Sequence, residues 1–408
     1  MMRQSFNRKQ FLQALGWGTL ASLAPTWAPA QPEIAQPPAS VRITDVQAYL
    51  FKKACFVKVS TNAGISGWGE SDGSSKKMTP IYIEKMLRQY LIDKDPFDSE
   101  GIWQEAYLKG LEAGIGGIHP GSLAGIDNAL WDLKGKILDK PVHKLLGGNG
   151  KKHIQVYGSY GRDRGNYNYR TPDEMAKIAA GFVEQGYKAV KARLQIRQER
   201  VNPFPDDTFT CVKAIREAIG DDILLYIDFN NGYTPAQAIV MAKKLYEHFN
   251  IAALEEPVFQ QDYTGLRQVV DALDIPVMAG EHEYSAWMIR DLITQANVDI
   301  INADVIKCGG ITECKKAASL AHVFGKQIMV HNAKPTLATA ASLQLLASIP
   351  NGARFQEYAG KRLHQNYGPV HELFDTTFEF KDGFLTVPDL PGLGLVVNEK
   401  RMEERKLN

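Results

Sequence analysis

The sequence predicts an α/β fold: a modified (β/α)8 TIM-type barrel with an α+β capping domain formed by the N-terminal segment and the C-terminal tail. Three observations carry this. From His153 onward, eight short apolar runs alternate with stretches of helical periodicity, the pattern of buried parallel strands separated by helices. Three of the runs lead to an acid, Asp228, Glu255 and Glu281, at intervals of 27 and 26 residues. A strand and its return helix take roughly 30 residues in such a barrel. Residues 41–150 read instead as a strand meander followed by helices.

With 408 residues the chain has room for a barrel and an appended domain. Lys+Arg number 47 against 46 Asp+Glu, so there is no basic surplus and nucleic acid is not a favoured partner. The four cysteines, Cys55, Cys211, Cys308 and Cys314, contain no CxxC pair. They offer neither a disulfide framework nor a zinc site and are expected to be packing residues.

Residues 1–31 read as an export signal. Arg3, Arg8 and Lys9 form a basic front, the run Gln10–Gln31 is uncharged, and Ala28-Pro-Ala30 is a small-residue end. Asn7-Arg-Lys-Gln10 followed by Phe11-Leu12 resembles a twin-arginine signal with Lys in place of the second Arg. The apolar part is broken by Gly and Pro and falls short of the ~20 residues a membrane span needs. The expectation is a periplasmic protein with no stable membrane anchor once the signal is removed.

In the capping domain, Val41–Phe51 and Ala54–Ser60 lead through the turn Asn62-Ala-Gly64 to Ser66–Glu70. Glu70-Ser-Asp-Gly-Ser-Ser75 reads as a polar loop, a lid over a site. Helical patterns follow at 79–93, 99–112 and Ser122–Leu138, the last with Leu123, Ile126, Ala129, Leu130 and Leu133 at helical spacing. The barrel is expected over 151–362, with strands Ile154–Tyr160, Ala189–Leu194, Leu224–Phe229, Ala252–Glu255, Val277–Gly280, Ile300–Val305, Gln327–His331 and Ala353–Glu357. Residues 363–408, with the turn-rich stretch Pro388–Gly394, form a tail expected to pack back on the capping domain.

Catalytic groups of such barrels sit at the C-terminal ends of the strands. Three carboxylates meeting there repel unless a hard cation holds them, and oxygen ligands suit Mg²⁺. Any one of these acids alone reads as a helix cap; the equal spacing of all three argues for a metal site of Asp228, Glu255 and Glu281. Side chains alternate along a strand, so Lys191 and Arg193 share a face, as do Asp228 and Asn230. The same parity turns Glu256 away from Glu255, leaving it a helix-start role with Pro257, and turns Lys307 away from Asp304. Asp304 and His331 end neighbouring strands, close enough for the aspartate to fix the tautomer of a histidine base. Glu357 completes the ring of polar groups, and His282 is placed to touch a substrate hydroxyl. The polar and aromatic stretch Arg162–Arg170 reads as a rim or subunit contact, and a homo-oligomer is expected.

Asp228-Phe-Asn230, Leu254-Glu-Glu-Pro257, Gly280-Glu281, Asp304-Val-Ile-Lys-Cys-Gly-Gly310 and the His331 strand end together resemble the enolase superfamily, in particular its mandelate racemase-like branch. The pre-barrel Ile126–Lys136 and Lys144-Leu-Leu-Gly-Gly148 segments and the Pro388–Leu395 turn resemble it too, so the likeness runs from about residue 41 to 395. It implies Mg²⁺ on Asp228, Glu255 and Glu281, a small-molecule carboxylate substrate on that Mg²⁺, and loss of the proton next to the carboxylate to give an enediolate. It implies that Glu357 hydrogen-bonds the developing enediolate oxygen, and that the capping-domain loops, here Phe51–Cys55 and Glu70–Lys77, set specificity.

One departure decides the expected reaction. The racemase pattern ends its second barrel strand in Lys-x-Lys, and here it reads Lys191-Ala-Arg193. An Arg stays protonated and donates rather than accepts. Racemisation needs a base on each face of one carbon, and this site offers one clear base, His331. A single histidine still runs a β-elimination, taking the α-proton and returning it to the departing 3-hydroxyl. The expected activity is therefore a Mg²⁺-dependent dehydratase of a sugar acid (aldonate or aldarate) giving a 2-keto-3-deoxy acid. Two alternatives stand beside it: a racemase or epimerase with Lys191 as second base, and a non-catalytic binding protein on an inherited fold.

Overall fold

The computed structural model describes residues 40–52, 54–72, 77–163, 168–195, 201–332, 334–358, 360 and 372–407. Two compact units divide the chain, Met1–Ser40 and Val41–Asn408. The export segment expected at 1–31 lies outside the described residues, and everything below concerns the second unit. Among the described residues no helix is long and apolar enough to cross a membrane.

The capping region opens with an antiparallel sheet, β1 (Ile43–Leu50), β2 (Cys55–Thr61) and β3 (Ser66–Ser71), in that order. Gly64, at φ +73°, closes the β2–β3 hairpin, a backbone conformation that side chains with a Cβ resist. Helices α1 (Ser99–Lys109) and α2 (Ile118–Ile137) lie against it. Contact between α2 and β3 is backbone on backbone. A Cβ on Gly67 would stand 2.1 Å from the Ala129 carbonyl oxygen, and one on Gly69 would stand 2.2 Å from that of Gly125. The 79–93 pattern yields only a short helix, Met78–Tyr82, followed by a wider and then a tighter turn.

All eight predicted barrel strands are present and parallel: β4 (His153–Gly161), β5 (Ala189–Arg193), β6 (Leu224–Asp228), β7 (Ala253–Glu255), β8 (Val277–Ala279), β9 (Ile300–Ile301), β10 (Gln327–Ile328) and β11 (Gln356–Glu357). The ring closes on both sides of β11. Gln356 and Glu357 pair with Val156 and Tyr157 of β4, and the Ala353 N–H donates to the Ile328 carbonyl at 2.7 Å. Tyr157, Tyr226, Met278, Met329 and Phe355 fill the interior between the smaller Ala189 and Ala253, so the barrel is a packed core with its chemistry at one mouth. β9 and β10 are short because the chain leaves regular pairing before Asp304 and His331, although His331 N–H still reaches the Ala303 carbonyl at 3.1 Å.

The tail bridges both regions rather than lying on the capping region alone. Its hairpin, β12 (Phe380–Lys381) and β13 (Phe384–Thr386), adds antiparallel to the free N-terminal half of β4. Farther on, Glu399 meets Lys58 Nζ at 2.8 Å and Trp68 Nε1 at 3.1 Å, both on the capping sheet. Asp132 of α2 ties strand to tail by accepting from the Trp68 and Leu393 N–H groups, each at 2.8 Å.

Of the polar loop expected at Glu70–Ser75, Glu70 and Ser71 are instead the end of β3, with Glu70 fully buried, and residues 73–75 lie outside the described residues.

Candidate active site

Strand register brings the predicted residues to one mouth. Arg193 pairs with Asp228, and Asp228 with Glu255, across β5, β6 and β7. Glu281 follows β8 after Gly280, whose φ of +129° lets the chain turn in over the barrel. Lys191 reaches between the acids, with Nζ 2.7 Å from Glu255 Oε1, 3.2 Å from Glu357 Oε1 and 4.0 Å from Asp228 Oδ2.

Charge in this pocket is set by burial and proximity. Burial works to discharge Lys191, but Glu255 and Glu357 outweigh it and hold the ammonium far above its ordinary range. Burial pushes the Asp228 carboxyl up to about 6 and that of Glu255 up to about 8, with Lys191 opposing both shifts and neighbouring carboxylates adding to them. Glu357 goes the other way, to about 2, because Lys191 and His331 overcome its burial.

On the far side of Glu357 stands His331. Its Nδ1 lies 2.7 Å from Asp304 Oδ2, and its Nε2 lies 3.2 Å from Glu281 Oε2 and 4.0 Å from Glu357 Oε2. An ionised carboxylate only accepts, so Nδ1 carries the hydrogen that Asp304 receives and Nε2 is the reacting nitrogen. Burial works to lower the His331 pKa, but the charge of Glu281 and the Asp304 bond raise it to about 9.

Two parity arguments are corrected. Glu256 has φ +40°, a left-handed residue directly after β7, and this swings its carboxylate into the mouth. There it accepts from Asn231 Nδ2 at 2.6 Å and Asn230 Nδ2 at 3.4 Å, and stands 3.7 Å from His282 Nε2. Lys307 also points inward, its Nζ 3.6 Å from Glu281 Oε1 and 3.9 Å from Asp304 Oδ2. Residues after Asp304 form a helical turn, with Cys308 N–H on the Asp304 carbonyl at 2.8 Å, so positions three apart share a face. A turn starting at a strand's last acid is the signal that strand parity passes over.

The remaining predicted residues fall as follows. Asn230 has a left-handed φ of +41°, its N–H donates to Asp228 Oδ1 at 2.7 Å, and its amide turns to Glu256. His282 Nε2 lies 3.0 Å from Glu281 Oε1. Arg193 holds a buried Nε that has no hydrogen-bond partner among the described residues.

The donor set fits a hard cation. Glu255 Oε2 is buried with no hydrogen-bond partner among the described residues, which leaves it able to ligate a cation. Glu255 feels the charge of both Asp228 and Glu281, and Asp228 feels that of Glu281. Among the described residues, the grouping whose ligand atoms, one from each residue, lie within 4.8 Å of one another is Glu256, Glu281 and His282; Asp228 and Glu255 stand outside it. Glu281 belongs both to that grouping and to the predicted set.

A barrel with acids at its strand ends and a carboxylate-held imidazole beside them defines an acid–base enzyme. Residues 174–401 match the family described as Enolase C-terminal domain-like, and residues 29–147 match the Mandelate racemase / muconate lactonizing enzyme N-terminal domain. The chain is 30% identical over 353 residues to an arabinonate dehydratase from Saccharolobus solfataricus, covering 86% of this chain and 89% of that one. It is also 30% identical over 356 residues to a D-galactarolactone cycloisomerase from Agrobacterium fabrum, covering 86% and 90%. A mandelate racemase/muconate lactonizing protein from Paracoccus denitrificans, solved in complex with magnesium, superposes with a TM-score of 0.83 at 30% identity, over 90% of this chain and 99% of that one. The chain belongs to the enolase superfamily, in its mandelate racemase-like branch. It is an enzyme.

Proposed function

We propose that the protein is a Mg²⁺-dependent dehydratase of a sugar acid of the aldonate or aldarate type. Asp228, Glu255 and Glu281 are the residues that would hold the ion. Mg²⁺, when bound, stabilises negative charge on the substrate carboxylate and offsets the Glu281 charge that keeps His331 protonated.

His331 Nε2 takes the proton α to the carboxylate, and the electron pair of that C–H bond passes into an enediolate. The Lys191 ammonium faces the carboxylate oxygens that gain charge, and the ionised Glu357, which can only accept, orients that ammonium instead of donating to the enediolate. The pair then forms the C2–C3 double bond as the C3–O bond breaks. The departing hydroxyl takes the proton back from His331 and leaves as water. Tautomerisation gives the 2-keto-3-deoxy acid. Asp304 holds the imidazole in the required tautomer throughout.

The observation that carries this reading is the inequality of the two basic groups. His331 is an imidazole aimed by Asp304, whereas Lys191 is an ammonium pinned by Glu255 and Glu357. A second base is what racemisation requires. Related chains carry the names dehydratase and cycloisomerase, so the choice rests on this site and not on the fold. Export to a periplasm belongs to the same proposal, supported by the basic front and small-residue end of residues 1–31.

The test is a screen of aldonates and aldarates with Mg²⁺, scoring 2-keto-3-deoxy products. Deuterium from solvent appearing in recovered substrate at both configurations, with no keto acid formed, would replace the dehydratase by the racemase.

A further inference from the structure

Glu70 is a fully buried carboxylate on the capping sheet, and its side-chain partners among the described residues come from the barrel. Oε2 accepts from the Thr336 hydroxyl and from the Ala338 N–H, the latter at 3.1 Å, and Oε1 lies 3.5 Å from Lys334 Nζ. Lys334 and Thr336 lead into helix α3 (Leu337–Leu346), to which Ala338 belongs and which follows the strand end bearing His331. The first N–H groups of a helix lack partners within it, and a side-chain oxygen at the N-cap usually supplies one. Thr336 occupies that position, yet its side chain makes no capping bond; its hydroxyl is turned to Glu70, which caps the helix from the other domain.

The capped end is stitched back toward the imidazole. Thr339 in the first turn of α3 donates its hydroxyl to the Lys334 carbonyl at 2.6 Å and accepts from Asn332 Nδ2 at 2.7 Å. Asn332, next to His331, gives its N–H to Glu357 Oε2 at 2.9 Å. Two residues beyond Glu70, the Asp72 N–H donates to the Ile306 carbonyl at 3.1 Å, in the turn that starts at Asp304. The end of β3 therefore touches the segments after both strands that supply the Asp304–His331 pair.

We infer that Glu70 is a positioning residue: by capping α3 from the capping domain it fixes the segment after β10 and so aims the His331 imidazole at Asp304. This rests on the acid–base role proposed above for His331, and it extends that role to a residue that touches no reacting atom.

The test is Glu70→Gln in the full chain, read in two ways. In the substrate-free protein, the low-field proton of His331 Nδ1, assigned by its absence in His331→Asn, should shift or broaden. Turnover should fall ~10- to 100-fold with KM held within about twofold, as a misaimed base requires. Glu70→Gln/Lys334→Met, which removes both charges, should recover part of that loss. Thr336→Val, which deletes one donor and no charge, supplies a milder second variant should Glu70→Gln fail to fold. An unmoved His331 proton, or a loss of activity that merely tracks a loss of folded protein, overturns the inference. A shifted proton in an enzyme that dehydrates no sugar acid would retain the positioning role and remove the proposed function.

Discussion

Lys191 Nζ and Glu255 Oε1 lie 2.7 Å apart, both side chains all but sealed from solvent. A buried ion pair is costly to form and far costlier to break, because the surviving charge is left alone. The first consequence is for stability. Lys191→Met should lower the unfolding free energy by ~3–5 kcal/mol in metal-free buffer. Urea denaturation in EDTA measures this, and an unchanged midpoint would mean the ammonium compensates nothing.

The second prediction concerns the base. His331→Asn should cut turnover by ~10²- to 10⁴-fold, the usual worth of a positioned proton-transfer group. Calorimetric titration with Mg²⁺ should give an affinity close to that of the parent, since the imidazole is not among the proposed ligands. Near-normal turnover would remove His331 from the mechanism.

The third concerns the cation. EDTA should abolish activity and Mg²⁺ should restore it. Glu255→Gln should weaken Mg²⁺ binding on the order of tenfold or more, a difference of about 1.4 kcal/mol or above. Equal affinity in the variant would move the ligand set toward Glu256, Glu281 and His282, the other grouping at this mouth.

Away from the site, Asp127 of α2 reports on the contact between domains. It accepts from Thr312 N–H at 2.9 Å and Thr312 Oγ1 at 2.6 Å, at the start of the barrel helix Ile311–Val323. Burial raises its carboxyl from 3.8 to about 6 despite those bonds. An acid with a raised folded-state pKa binds its proton more tightly folded than unfolded. Its contribution to stability is therefore complete below about pH 4 and lost as pH rises through about 6. Across that window the parent should lose on the order of 3 kcal/mol relative to Asp127→Asn, which cannot titrate. Parallel stability–pH curves for the two proteins would contradict this.

The fifth prediction follows from the bare contact of β3 with α2. Gly69→Ala places a methyl 2.2 Å from a backbone oxygen, where neither side can rotate away. The loss should be at least ~1–3 kcal/mol of unfolding free energy, measured by thermal or denaturant melting.

The sequence by itself determined the barrel and most of its mouth. Buried strands alternating with helices leave a periodic record, and acids at equal spacing mark consecutive strand ends whatever the rest of the chain does. Asp228, Glu255, Glu281, Asp304, His331 and Glu357 were legible because each sits at or beside the end of a predicted strand. Tertiary structure decided what lies just past those ends, where the rule of alternation lapses. Glu256 faces the site through one left-handed residue, and Lys307 through a helical turn. It also decided which groups answer one another across the fold. Glu70 caps a helix 266 residues away in sequence, and the tail pairs with a barrel strand. Such contacts follow from how two domains settle on each other, and no local pattern of side chains encodes them.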